Sequence, residues 1–380
     1  MSDRCAAAPG TDSAIPTRLM TEPSLAAMSV IRTTRHDRAV HEAIVRVSGA
    51  PLSPAQRVAG DRVYGAAPSH VSLSAMVSGR CVGVLSAEVH PSPRFSGSTI
   101  VIARRISAST EPSVLLALLA QLDQLATDEL GARRVVISLV GSTQAELDRA
   151  ASLMPSLGFE PSARPKVPAH TILLDLRDGE EALLRNARPS LRRSLREVAR
   201  LPIRCDSIRS VLLVDRLKQI KQASYARHGS VPPPLPFAGF VETASAHPDA
   251  FSLIGLYRDD VIGADSLIAF EFTSFDGRLA TSEHAGMVST RVDGRSVPGG
   301  YATLWESIRW AIRRGAVAFD LGGISMPGDS TYEATRTIAQ FKRNFGGEIV
   351  TGLEREFVKR PNTFTARLMN ALASVAGRLR

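Results

Sequence analysis

The chain has 380 residues, 44% of them hydrophobic, with a mean hydropathy of +0.01, a formal net charge of +9 and a pI near 10.0. This length predicts two domains, and no apolar run approaches the ~18 residues of a membrane-spanning helix. Cys5, Cys81 and Cys205 are too few and too scattered for a disulfide framework or a metal knuckle, and the start has no apolar core of signal-peptide length, so the expected setting is the cytoplasm. The positive balance fits an anionic partner such as nucleic acid, a nucleotide-linked substrate or an anionic membrane face. A coding bias toward Arg produces the same balance without one.

Residues 1–30, rich in Ala, Ser, Thr and Pro, read as a disordered tail. Residues 71–90 alternate apolar with small or polar positions about Ser78-Gly79, which predicts a β-hairpin. A strand near Ser98–Ile102 comes next. Pro112 then opens a helix with apolar residues at helical spacing, and Gly131 stops it. Val135–Val140 is a buried strand, Thr143–Leu157 a second helix, and His170–Leu176 the strand expected to close the first unit.

The same order recurs. Residues 251–257 and 261–272 form a second hairpin. A helix from Tyr301 to Arg314 carries Tyr301, Leu304, Trp305, Ile308, Ala311 and Ile312 on one stripe. Gly315 stops it, AVAFDL is the buried strand, and a last helix ends at Phe345-Gly346-Gly347 before a closing strand. Three glycine pairs, Gly83 with Gly263, Gly131 with Gly315 and Gly158 with Gly346, stand 180, 184 and 188 residues apart (263 − 83, 315 − 131, 346 − 158). The near-constant offset predicts two copies of one α/β unit: 31–178, and 179–360, the latter opening on a basic helix over 183–201. Residues 361–380 carry the apolar stripe of a C-terminal amphipathic helix, which either packs on the body, frays or lies on a membrane surface.

The basic segment sets Arg185, Arg188, Arg192 and Arg196 three or four residues apart, on one face of a single helix. That face either contacts phosphates or is simply solvated. The proline run Pro232–Pro236 makes a stiff loop, suited to the wall of a cleft. The sequence lacks G-x-x-x-x-G-K-[ST], G-x-S-x-G, H-E-x-x-H and paired C-x-x-C, and its eight histidines are scattered. Strand–helix units with glycine stops instead suggest an acyltransferase fold of the GNAT kind. The turn before the second copy's helix, Arg295-Ser296-Val297-Pro298-Gly299-Gly300, lacks the [QR]-x-x-G-x-[GA] spacing that cradles the pyrophosphate of CoA.

Three motifs sharpen this. Trp305–Ala311 reads W-x-x-I-x-W-A, Phe319–Ile324 reads F-D-L-G-G-I and Phe341–Gly347 reads F-K-x-x-F-G-G, with GLEREF after them. Together with the arginine-rich segment they resemble the Fem family (FemA, FemB, FemX) of peptidoglycan aminoacyltransferases, over roughly residues 95–358. The resemblance implies an α/β fold of two tandem GNAT-like domains, each a mixed sheet flanked by helices. It implies transfer of an amino acid from aminoacyl-tRNA, as co-substrate and with no other cofactor, to an amine of a nucleotide- or lipid-linked muropeptide, at the inner face of the membrane if the acceptor is lipid-linked.

On the same resemblance Lys342 lies at the catalytic centre with Phe341 beside it, supplying positive charge to the developing oxyanion and the leaving ribose oxygen. Arg227 resembles the family's R-D-G stretch, although Pro232–Pro236, Phe237 and Phe240 stand where the family continues with a substrate-binding Arg and Tyr. Tyr301 joins the substrate-binding set. Gly322, Gly323, Gly346 and Gly347 either let backbone approach a ligand or merely end helices and strands. Asp320 either orients the substrate amine or caps a turn. Arg188, Arg192 and Arg196 are the expected tRNA-phosphate contacts. An acyl-CoA N-acyltransferase, a tRNA-dependent enzyme acting on a small natural product and a non-catalytic RNA-binding scaffold are the alternatives.

Overall fold

The structure, a computed structural model, describes residues 28–33, 69–91 and 99–361 apart from 142, 164, 166, 228, 330 and 331. The tail up to residue 27 and the expected C-terminal helix beyond Pro361 lie outside the described residues. Residues 28–30, expected in the tail, instead open a strand, β1 (Met28–Thr33).

Four strands form an antiparallel meander: β1, β2 (Ser69–Val77), β3 (Arg80–Pro91) and β4 (Thr99–Ser107). The β2–β3 turn uses Ser78 at φ 49° and Gly79 at φ 76°, the two positive values of the hairpin turn that matches strand twist. Helix α1 (Pro112–Asp128) comes next. Its first turn is pre-set by Pro112 and capped by the Glu111 carboxylate, which accepts from Val114 N at 3.0 Å. Val114, Leu115, Leu118, Leu119, Leu122 and Leu125 bury its inner face in the first core. At about 1.5–3 kcal/mol per buried aliphatic side chain, that stripe rather than helix propensity holds α1. Strand β5 (Ala132–Val140) returns parallel to β4. Helix α2 (Gln144–Ser152) and the short β6 (Glu160–Pro161) complete the unit.

The second unit repeats the order. Strands β8 (Ile203–Ser207), β9 (Phe251–Arg258), β10 (Leu267–Phe275) and β11 (Leu279–Met287) form the meander. Helices α5 (Val214–Ala226) and α6 (Phe237–Ala246) lie between β8 and β9 in the chain. Phe237 and Phe240, expected on the acceptor side, pack instead with Phe270 and Phe272 in the core. A small ribbon, β12 (Arg291–Val292) with β13 (Arg295–Ser296), leads to α7 (Gly299–Arg313), β14 (Ala318–Ile324), α8 (Tyr332–Arg343), β15 (Glu348–Thr351) and β16 (Glu354–Lys359). Trp305, Ile308, Trp310, Phe319 and Phe345 are all buried in one cluster, so much of the motif-bearing stretch is packing.

Three expectations are corrected. First, the strand near residues 170–176 does not close the first unit. Strand β7 (His170–Asp175) enters the second sheet between β14 and β15, and β16 reciprocally enters the first between β5 and β6. The two seven-stranded sheets therefore run β1-β2-β3-β4-β5-β16-β6 and β15-β7-β14-β11-β10-β9-β8, and residue 178 does not divide them. Second, the basic helix is two helices, α3 (Gly179–Asn186) and α4 (Pro189–Val198). Pro189 pushes Arg188 to an extended φ −65°, ψ 151°, which breaks the helix and with it the shared arginine face. Third, Gly83 and Gly263 are not equivalent: Gly83 lies within β3 against Val114, Gly263 in the loop before β10. The other two glycine pairs hold matching positions at element ends.

Candidate active site

In the first sheet the parallel neighbours β4 and β5 stay registered from Thr99 with Ala132 to Ser107 with Val140, across two register shifts. In the second sheet the parallel neighbours β11 and β14 pair only over Leu279–Ala318, Ala280–Phe319 and Thr281–Asp320. The ladder ends after these three pairs, and the break, called the notch below, has Ser282 and Glu283 on one strand and Leu321–Ile324 on the other.

Lys342, on the last turn of α8, reaches this notch. Its Nζ donates to Gly323 O at 2.9 Å. Gly322, at φ 78°, makes the approach possible: a Cβ there would lie 3.1 Å from Ser282 O and 3.3 Å from Lys342 Nζ. Burial pushes the Lys342 ammonium below its ordinary range, against the pull of Asp320 and Glu271.

Asp320 accepts from Gly322 N at 2.7 Å and from Thr171 Oγ1 of the exchanged strand β7. This is the turn-capping role. Its enclosure pushes the carboxyl pKa up, opposed by those two hydrogen bonds and by Arg105 and Lys342. Phe341 packs at a tilt against Tyr301, 4.6 Å between centroids, and Asn344 Nδ2 donates to Tyr301 Oη at 2.6 Å, which fixes the ring between α7 and α8.

The other sequence-derived residues divide. Gly346 and Gly347, at φ 82° and 81°, approach the chain itself rather than open space. A Cβ on Gly347 would lie 2.6 Å from Leu173 O, and one on Gly346 3.0 Å from Asn186 O. A Cβ on Gly323 would collide with Pro168 at 2.3 Å. Arg227 is exposed and ties α5 to the end of β11 through Met287 O at 3.1 Å and Ser289 Oγ at 3.3 Å. Arg192 faces inward, its Nη1 capping the end of α3 through Leu184 O, Arg185 O and Ala187 O at 3.1, 3.2 and 2.6 Å. Arg188 and Arg196 are exposed. Arg188 N bonds Asn344 O at 3.0 Å, so the α3–α4 corner abuts the end of α8.

Sequence reasoning missed several neighbours. Glu271 on β10 is 2% exposed, and burial raises its carboxyl pKa to about 7. Lys221 on α5 is 7% exposed, its pKa lowered to about 8 by burial. On the other side of the notch, Arg105 of β4 donates through Nη1 to Glu283 at 2.6 Å, and its backbone N to Ser138 Oγ at 2.7 Å. Ser138 in turn donates to Glu354 at 2.6 Å. The charged floor of the notch is thus shared by both sheets. A lone Glu in the apolar run LIAFEF, and a Lys four residues after Leu217 on the buried face of α5, were the available signals.

Among the described residues no group of three or more His, Cys, Asp or Glu is placed to hold a metal ion, and no helix is long and apolar enough to cross a membrane.

Residues 185–343 match the acetyltransferase (GNAT) domain family. A comparison with curated proteins returns no match. Among solved structures, FemX is similar over 90% of this chain and 99% of its own, with TM-score 0.69 and 14% identity. L-PGS from Bacillus licheniformis aligns over 85% of this chain and 92% of its own at TM-score 0.49 and 13% identity. The fold is that of a Fem-like protein: two GNAT-like units, each a mixed sheet flanked by helices.

Proposed function

We propose that the chain is an acyltransferase of the Fem type, moving an aminoacyl group from aminoacyl-tRNA to an amine of a peptidoglycan precursor or a related acceptor. The observation that carries this reading is Lys342, an ammonium held by Gly323 O in the notch where β11 and β14 part. Aminolysis of an ester needs positive charge where the oxyanion forms and a proton for the departing ribose oxygen. An ammonium whose pKa is lowered by burial meets both needs. The acceptor nitrogen bonds the ester carbonyl carbon, the carbon–oxygen bond to ribose breaks, and Lys342 gives the ribose oxygen its proton. The proton lost by the acceptor nitrogen restores Lys342.

The tRNA donor is supported by the exposed Arg188, on a corner pinned to Asn344 two residues beyond Lys342, and by the exposed Arg196 further along α4. No cofactor is assigned. A lipid-linked acceptor would bring the protein to the membrane surface.

The second reading, acyl transfer from CoA, is favoured by the family match and by the same parted strands. One experiment separates the two: transfer of radiolabel from a mixed pool of charged tRNA to a bacterial precursor extract, with and without RNase, and with labelled acetyl-CoA in parallel. We expect RNase-sensitive transfer that Lys342→Ala lowers about 10²–10³-fold, the cost of losing one oxyanion donor, with the fold retained by circular dichroism. Transfer from acetyl-CoA alone establishes the second reading, and equal rates in wild type and Lys342→Ala remove Lys342 from the chemistry.

A further inference from the structure

Glu271 stands where packing gives no reason for a carboxylate. All nine residues of β10 are buried, and Glu271 faces the protein from the middle of the strand. A buried charge is tolerated only where partners replace water. Ser282 of β11 donates to its Oε1 at 2.5 Å, and the backbone O of this same Ser282 flanks the notch opposite Gly322. Lys221 donates to the O of Ala285, the residue facing Glu271 across the β10–β11 ladder, at 2.8 Å. Lys342 Nζ comes from α8 to the same point as Ser282 O: a Cβ on Gly322 would lie 3.3 Å from the one and 3.1 Å from the other. Glu271 attracts both lysines, and Lys342 lowers the pKa of Lys221.

Further charges surround this set. Asp320 of β14 acts on Lys342, and Glu283 of β11 on Glu271. Arg105 of β4 acts on Asp320 and on Glu354 of β16. His284 of β11 senses Glu283 and Lys221, and burial lowers its pKa to about 4, so it is neutral.

We propose that Glu271 and Lys221 are positioning residues of opposite sign for Lys342, the carboxylate holding its ammonium charged and the second lysine opposing it. The inference rests on the reading of Lys342 as proton donor in the transfer. A donor lysine must be charged when the ester is attacked and yet release its proton readily to the ribose oxygen. One buried charge of each sign beside it sets that balance, and neither needs to touch substrate.

The test needs no substrate. Full-length protein carrying lysine labelled at Cε and Nζ is titrated by NMR, with the Lys342 resonance identified by its loss in Lys342→Met. Glu271→Gln should lower the Lys342 midpoint and Lys221→Met should raise it, each by about one pH unit, the effect of a unit charge on the order of 12 Å away at an effective dielectric of ~20. Should Glu271→Gln fail to fold, Ser282→Ala, which removes the hydroxyl that stabilises the Glu271 carboxylate, should lower the midpoint too. A purely structural role moves both midpoints alike or neither, and either result overturns the proposal. In the transfer assay the basic limb of the rate profile should shift in the same two directions. Transfer absent at every pH would sink the functional reading while the titration still decides this one.

Discussion

The two sheets carry the same strand order, yet their parallel pairs differ. β4 and β5 remain registered to their ends, whereas β11 and β14 part after three residue pairs. The closed pair carries a register shift between Ala103 and Ile106, where Arg105 sits at φ 52°, a value that costs about 1–2 kcal/mol for a residue with a Cβ. That strain aims the Arg105 guanidinium at Glu283 beside the open pair. One copy of the unit thus keeps its ladder to the end and supports the other, whose ladder stops where Lys342 arrives. The doubled fold separates scaffold from site.

Arg105→Met is expected to break this arrangement most severely. Both partners of the ion pair are largely buried, with side-chain exposures of 14% and 11%, so removing the guanidinium from Glu283 should cost about 3–5 kcal/mol in chemical denaturation. Adding Glu283→Gln should recover most of it; a double variant no better than the single would mean the pair is not coupled.

Next in size is an acid effect at the open pair. Burial lowers the pKa of His284 to about 4, and its ring stacks on Phe240 at 5.2 Å. The folded state therefore refuses a proton that the unfolded chain accepts below pH 6.5. The stability from neutral His284 is complete above that value and lost as pH falls toward 4, about 3 kcal/mol in all at 1.36 kcal/mol per unit. Melting curves of His284→Phe should lack this part of the acid slope.

Gly322→Ala sharpens the contrast further. The strain at φ 78° should cost about 1–2 kcal/mol, and the new methyl would meet Lys342 Nζ and Ser282 O. Gly315→Ala, at φ 80° with nothing within 4 Å, should cost the same stability while keeping activity per folded molecule. The smallest effect is that of Arg192→Ala, which removes a helix cap and should cost about 1 kcal/mol in thermal unfolding. Retention of charged tRNA should fall less than for Arg188→Ala with Arg196→Ala.

Much of the fold was legible because glycines at element ends and apolar stripes act locally: α1, α7 and the β2–β3 hairpin are each set by a few neighbouring residues. The strand exchange was not, because the alternation in β7 or β16 is the same whichever sheet receives it. The two-helix break at Pro189 is written in the sequence, although the arginine spacing continues across it unchanged. Of the residues that the motifs single out, Lys342, Asp320 and Gly322 lie together in the structure. Arg105, Glu283 and Glu354 join them only through long-range pairing, across 178 residues between Arg105 and Glu283, which no local pattern records.

The exchanged strands also bear on how the chain is made. Synthesis runs from the N-terminus, yet the slot between β5 and β6 is filled by Glu354–Lys359, the last strand described. Until that segment leaves the ribosome, the first sheet carries an open gap with unpaired backbone on both sides. Loops closed over two hundred residues are slow to form, so the final folding step should be the threading of β16 between strands made long before it. A nascent chain stalled before residue 354 should be cut readily by protease in its N-terminal unit, and release of the full chain should abolish that sensitivity.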